Sequence, residues 1–262
     1  MSRTVPPPSA RATFQESFSE LKQAQKTRKG VPLYLLYVNR PAGRAVAAAL
    51  RHSRFTPNHV TLAGALLTYG SLLWLAFGAQ ANLSSALVGV LLAAGYVLDS
   101  ADGQLARLQG ASSAFGEWLD HALDNGRITV MHVAAFCFLA RTTDSDHVLL
   151  AAGCGLFLLS SSCIFFGGAL VDQLRRNARR TETAPAASPG SPAPAADREN
   201  NRRLLRRSIM TLPVDYGMTC LAFLLLPWPA VFLAAYAVLA AAHVLMCLAF
   251  LPKWRSELLA LD

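Results

Sequence analysis

Apolar positions along this chain gather into long blocks rather than short alternating runs. Six blocks stand out, at 57–79, 83–108, 113–140, 146–171, 209–227 and 229–251, of which the fifth is the shortest. A helix needs about 20 apolar residues, at ~1.5 Å each, to cross a bilayer core, so the blocks read as six transmembrane helices. The expected fold is an all-α polytopic membrane protein.

Ahead of the first block the pattern changes twice. Residues 1–30 are polar, contain Pro6, Pro7 and Pro8, lack the apolar run of a signal peptide, and read as a cytoplasmic tail whose first residues are disordered. Within that tail Phe14, Phe18 and Leu21 recur at helical spacing among Gln15, Glu16, Glu20 and Lys22. The spacing predicts a short surface helix, with a solvated tail as the alternative. In 31–55, Leu33, Leu36, Tyr37, Val46, Ala49 and Leu50 mix with Arg40, Arg44, Arg51 and Arg54 around Pro41. That stretch is too charged to span. It reads as an amphipathic segment in the headgroup plane, with its arginines toward anionic lipid phosphates.

Thr56 and Pro57 then have the character of an N-cap and first helical position, opening a membrane domain at 56–252 that is followed by a short tail at 253–262. After the fourth block, Arg175, Arg176, Arg179 and Arg180 carry the helix into water. Residues 181–200, rich in Ala, Pro and Ser, read as a disordered cytoplasmic linker, and Arg202, Arg203, Arg206 and Arg207 lead back to the membrane.

Lys and Arg fix the orientation. Of 24 in the chain, 22 fall on one side of the six blocks, whereas the links at 80–82 and Pro227-Trp228-Pro229 carry none and the third link carries only Arg141. The positive-inside rule puts the rich side, with both termini, in the cytoplasm, and the inner (plasma) membrane is the expected location. The net charge of +8 is thereby explained as topology and contact with anionic lipid, not nucleic-acid binding. The five cysteines all lie in apolar blocks without a CxxC pair and read as small core residues. No zinc-ligand spacing, nucleophile elbow, Walker sequence or internal repeat is present.

Against this apolar background, residues 99–124 stand out. Asp99, Asp102, Asp120 and Asp124 lie inside the second and third blocks, where each carboxylate costs roughly 2.5–3.5 kcal/mol on insertion scales. A divalent cation is the expected compensation, and hard oxygen ligands in this number suit Mg²⁺ or Mn²⁺ held together with substrate phosphate oxygens. Spacings of three and four residues put each pair on one helix face. The polar link at 109–113 makes the two helices antiparallel neighbours, so the pairs face each other at similar depth, about 12 Å from the helix ends. His121, beside Asp120, points off that face. Gly103 leaves room for a ligand, Ala106 is small one turn on, Arg107 offers a fork to a phosphate, and Gly116 lets the helices approach at the turn.

The string Asp99, Asp102-Gly103, Ala106-Arg107, Gly116, Asp120, Asp124 matches D-x2-D-G-x2-A-R-x8-G-x3-D-x3-D without departure. It resembles the signature of the CDP-alcohol phosphatidyltransferase family. At roughly one chance in fifteen to twenty per fixed position, accident produces such a string about once in 10¹⁰ windows. Asn58, in Thr56-Pro57-Asn58 followed by Val60-Thr61, resembles the family's first span, where the asparagine side faces the nucleotide phosphates; the helix cap alone also accounts for this tripeptide.

The resemblance implies transfer of a phosphatidyl group from a CDP-linked lipid, typically CDP-diacylglycerol, to a hydroxyl of a small alcohol, phosphorylated or not, with release of CMP. It implies Asp99, Asp102 and Asp120 as ligands of Mg²⁺ or Mn²⁺, with Asp124 as a further ligand or as the base that takes the acceptor proton. CDP contacts are implied for Asn58, Asp102, Gly103, Ala106, Arg107 and Gly116, and a homodimer for the assembly. Arg127 shares the acidic face and either pairs with Asp124 or binds the acceptor. Arg175 and Arg176 either report positive-inside charge or hold a phosphorylated substrate. Asp215, near the start of the fifth block, is a further site residue or an N-terminal helix charge. A cation-conducting transporter or channel is the alternative reading of acids inside a membrane.

Overall fold

A computed structural model describes residues 13–23, 32–181 and 208–261, and the description below is confined to them. The expected linker beyond residue 181 and Arg202, Arg203, Arg206 and Arg207 lie outside the described residues, as does the start of the tail.

All the regular structure described is helical. Helix α1 (Phe14–Gln23) precedes a π-helical turn (Leu35–Asn39) that runs into α2 (Arg40–Leu50). Then come α3 (Pro57–Phe77), α4 (Ala86–Gln109), α5 (Ala114–Thr142), α6 (His147–Thr181), the short α7 (Tyr216–Ala222) and α8 (Pro229–Leu258). The π-turn falls where Pro41 lacks the N–H that a regular α-ladder would use, and it turns Asn39 and Arg40 inward.

Four helices are long and apolar enough to cross a bilayer: Pro57–Phe77, Leu83–Gln109, His147–Ala178 and Pro229–Leu258. Helix α5 is 29 residues long but carries Glu117, Asp120, Asp124 and Arg127 in its first half. The expected fifth span at 209–227 is instead a broken segment. A 3-10 turn (Leu212–Val214) gives way to α7 and a second 3-10 turn (Phe223–Leu225), and the apolar helical piece Tyr216–Leu225 spans only about 15 Å at helical rise. Pro213 and Asp215 break it, because proline withholds a donor and the Asp215 carboxylate caps a new helix by accepting from Gly217 N at 2.9 Å.

Leu72 and Leu75 of α3, Leu92 of α4, Phe138 and Leu139 of α5, Phe157 of α6, Phe223 and Phe232 form one fully buried core. The outer faces are equally apolar, with Phe77 81 % and Leu66 75 % exposed, the pattern of an integral membrane protein whose perimeter meets lipid. One buried polar pair crosses the core, His132 Nδ1 to Tyr236 Oη at 2.6 Å.

Helices α4 and α5 are not packed along each other, contrary to the expectation from their short link; α3 packs on both. Gly110, at φ 62°, reverses the chain, and Gly95 of α4 fits against Gly64 and Thr68 of α3 so tightly that a Cβ there would lie 3.0 Å from the Gly64 carbonyl oxygen. Gly116 likewise meets α3 rather than α4, since a Cβ on it would lie 3.2 Å from Asn58 Oδ1. The space left between the first turns of α5 and the end of α4 is a cleft.

On the opposite side of the bundle Arg141 of α5 closes the end of α3, donating to the carbonyls of Leu75 (3.0 Å), Ala76 and Ala79 (3.3 Å). The Leu75 and Ala76 carbonyls end α3 without a partner inside it, Ala79 lies just beyond, and a guanidinium satisfies them in a fork. Arg141→Ala is expected to cost roughly 1–2 kcal/mol, seen as a lower unfolding midpoint in detergent, with Arg141→Lys in between because it keeps the charge and loses the fork.

The surface helix expected around Phe14 forms and docks. Thr13 and Glu16 make a reciprocal cap, with Thr13 N donating to Glu16 Oε2 at 2.6 Å, which holds the Glu16 carboxyl below its usual range. Leu21 is buried against Ala47, Ala101 and Leu105, and Arg51 ties α2 to Glu20 at 2.6 Å.

Candidate active site

Helix α3 begins as its sequence predicts. Thr56 Oγ1 accepts from His59 N at 3.3 Å, and Thr56 N donates to His59 Nδ1 at 3.2 Å, with Pro57 in the first turn. This fixed start aims Thr61 at α4 and puts Asn58 beside Gly116 of α5. Thr61 Oγ1 donates to Asp102 Oδ2 at 2.5 Å, fixing one carboxylate oxygen of a nearly buried acid.

The four acids converge. Asp99 and Asp124 are in hydrogen-bond contact, and Asp102 lies near enough to Asp99 and Asp120 to be repelled by both. Two carboxyls in contact need a proton or a cation between them. Ligand atoms of Asp120, His121 and Asp124 all lie within 4.8 Å of one another, so His121 can reach the cluster that its position beside Asp120 had placed it off. A space of about 20 Å³, the size of one water or small cation, lies among Thr61, Tyr69, Asp99, Asp120, Asp124 and Arg127. Hard carboxylate oxygens around a space of this size fit a small divalent ion.

Arg127 supplies the cluster's internal counter-charge. Its Nη2 lies 2.5 Å from Asp124 Oδ1 and its Nη1 3.5 Å from Asp99 Oδ1, while its guanidinium packs on the rings of Tyr216 (4.1 Å) and Tyr96 (5.7 Å). The pairing with Asp124 is therefore present.

Two clefts open from this cluster. The first, about 380 Å³, is lined by Asn58, Thr61, Asp102, Gly103, Ala106, Arg107, Gly116 and Asp120, so all six residues carried over as CDP contacts meet in one wall. Nothing lies within 4 Å of where a Cβ on Gly103 would stand, so that side of the helix is open to a ligand. The second cleft, about 440 Å³, is bounded by Leu21, the Pro32 to Arg40 region, Tyr96, Asp99, Asp124, Arg127 and Tyr216. Arg107 borders both. Arg175 and Arg176 border neither: Arg175 is held by Glu257 and by Asp172 at 3.8 Å, and Arg176 donates to Gln173 at 2.7 Å.

The family model of CDP-alcohol phosphatidyltransferase matches residues 54–249, three quarters of the chain and the whole of the Asp cluster. The chain belongs to this family. The family is metal-dependent, and the Asp120, His121 and Asp124 group can hold an ion. Membership sets aside a transporter or channel. Over 91 residues, 34% of this chain and 20% of the relative, it is 36% identical to the bifunctional IPC transferase and DIPP synthase of Aquifex aeolicus. Over 87 residues, 33% of this chain and 43% of the relative, it is 38% identical to the archaetidylinositol phosphate synthase of Pyrococcus horikoshii. The chain thus spans less than half the length of either curated relative.

Nothing in the sequence marks Asn39, Arg40, Tyr96 or Tyr216 as lining a site. Arg40 was legible only as one of several interfacial arginines, and the tyrosines looked like ordinary apolar positions. Thr61 had been noted beside Asn58 without a partner. Asp215 caps α7, as one of its two expected roles requires, and also lines the second cleft, where it accepts from Leu35 N at 3.0 Å.

Proposed function

We propose that the protein transfers a phosphatidyl group from a CDP-linked lipid, CDP-diacylglycerol being the fitting donor, to a hydroxyl of a small alcohol, releasing CMP in phospholipid synthesis. The observation that carries this reading is the convergence of Asn58, Asp102, Gly103, Ala106, Arg107 and Gly116 on one cleft that ends at the acid cluster. The CDP part occupies that cleft, with Arg107 on its phosphates. Asp99, Asp102, Asp120 and Asp124 would hold Mg²⁺ or Mn²⁺, which supplies charge neutralisation of the pyrophosphate.

The acceptor enters by the second cleft. Its hydroxyl oxygen attacks the lipid-linked phosphorus, the bond from that phosphorus to the CMP oxygen breaks, and the hydroxyl proton passes to Asp124. Support for this division comes from position: Asp120 borders the first cleft and not the second, whereas Asp124 borders the second and not the first. Arg127 orients Asp124 through the 2.5 Å contact. Both clefts and both termini face the cytoplasm of an inner membrane, a reading that rests on the Lys and Arg distribution. A homodimer is carried over from the family resemblance alone.

The test is CMP release. Purified protein with Mn²⁺, labelled CDP-diacylglycerol and a panel of alcohols should release CMP and form a lipid product of matching mass. A preparation that binds Mn²⁺ and CDP yet releases no CMP with any alcohol would sink the reading.

A further inference from the structure

Arg127 is buried, so its charge has to be met inside the protein. Two acids meet part of it, Asp124 at 2.5 Å from Nη2 and Asp99 at 3.5 Å from Nη1. Its Nε is buried with no hydrogen-bond partner among the described residues. The third anchor is aromatic: the guanidinium carbon stands 4.1 Å from the centre of the Tyr216 ring and 5.7 Å from that of Tyr96. A ring face suits this place better than a further acid would. It attracts a cation through its quadrupole and offers no acceptor oxygen, so it holds Arg127 without drawing Nη2 away from Asp124. Tyr216 contributes the ring alone, since its buried hydroxyl makes no hydrogen bond with Arg127 or with any acid.

The break in the fifth apolar block puts the ring there. The 3-10 turn ends at Val214, the Asp215 carboxylate caps α7, and Tyr216 is the first residue of that helix. Asp215 is itself pinned from two other elements, by Leu35 N at 3.0 Å and Tyr96 Oη at 3.4 Å. Gly217 lets the segment ahead of α2 close over α7, because a Cβ there would overlap the Tyr34 ring. Tyr34 stacks on Tyr96 with centroids 6.3 Å apart, and Tyr96 meets Tyr216 edge to face at 5.0 Å and 86°. A helix cap and two further tyrosines therefore seat Tyr216 independently of Arg127, as support for a functional side chain requires.

We propose that Tyr216 is a positioning residue of the transfer reaction: its ring face holds the Arg127 guanidinium so that Nη2 stays on Asp124, which fixes that carboxylate for the acceptor's proton. This rests on the transferase reading, with Asp124 as the proton acceptor, and goes beyond it by giving the broken fifth segment a part in the chemistry.

The experiment uses full-length protein in phosphatidylcholine nanodiscs with Mn²⁺ and labelled CDP-diacylglycerol. It reads CMP release with glycerol 3-phosphate, inositol 1-phosphate, inositol and serine, following the alcohol that the parent protein uses fastest, and CDP binding is measured on the same preparations. Tyr216→Phe keeps the ring face and should leave kcat within about twofold. Tyr216→Leu loses it and should lower kcat roughly 10- to 30-fold, with KM for CDP-diacylglycerol and CDP affinity within about twofold. Phenylalanines carrying one, two and three fluorines at position 216 keep the shape while withdrawing charge from the face, so kcat should fall stepwise along the series, by about fivefold or more at the third. A flat series overturns the proposal, because a ring that only fills space is indifferent to fluorine, and this holds even where Tyr216→Leu does not fold. So does a Tyr216→Leu kcat within about twofold of the parent, a Tyr216→Phe loss as large as that of Tyr216→Leu, or a loss that falls on donor KM instead of kcat. A parent protein that binds CDP yet releases no CMP with any alcohol overturns the transferase reading itself, and this inference with it.

Discussion

Asp102→Asn is expected to remove nearly all turnover, by roughly 10³-fold or more, while the protein still inserts and folds. Asp99→Asn and Asp120→Asn should behave alike. The reason is charge: each of these acids borders the cluster, and an amide keeps the shape while withdrawing the negative oxygen that a divalent ion needs. For Asp102 the fold is protected, because Thr61 Oγ1 can donate to the remaining carbonyl oxygen as it does to Oδ2 at 2.5 Å. CMP release under saturating Mn²⁺ is the readout, with circular dichroism and gel filtration as controls on folding. Near-normal turnover in Asp99→Asn would refute the assignment of the cluster.

Asp124→Asn should lower kcat by about 10² to 10⁴, the usual worth of positioned proton transfer, and leave CDP-donor and Mn²⁺ binding close to those of the parent. This expectation separates a base from a ligand, two roles the chain's spacing treats alike. Asp124 lines the second cleft with Arg127 and Asp99, whereas Asp102 and Asp120 line the first. The substitution also removes one partner of a buried guanidinium, so lower thermal stability should accompany it, with Asp99 at 3.5 Å retaining part of the compensation. If titration in detergent shows Asp124→Asn and Asp102→Asn losing Mn²⁺-dependent donor binding equally, Asp124 is a ligand of the same rank.

Much of this site was legible because its signals are local. The i, i+3 and i, i+4 spacing of the acids fixes which side of a helix they share, and Thr56-Pro57 fixes where α3 starts. What spacing cannot carry is which third helix wedges between two neighbours. That is why α4 and α5 were expected to pack along each other and instead both lean on α3 through Gly64, Gly95 and Gly116, meeting only where Arg127 and Asp124 reach Asp99. The fifth apolar block is broken for a related reason: its mean apolarity suffices, but Pro213 and Asp215 interrupt the backbone ladder. Arg40 was hidden because positive-inside charge looks the same in one dimension whether a guanidinium faces lipid headgroups or lines a cleft; its place in the wall of the second cleft separates the two.

The two clefts meet at the acid cluster but differ in where their walls lie along the chain. The wall of the first, from Pro57 to His121, falls inside the 54–249 stretch that the family model matches. The second takes Leu21, Pro32, Leu35, Asn39 and Arg40 from the segment ahead of that stretch, and the rest of its wall, Asp99, Asp124 and Arg127 included, from within it. Substitution ahead of residue 54 would therefore reshape one opening to the acids while leaving the other as it is.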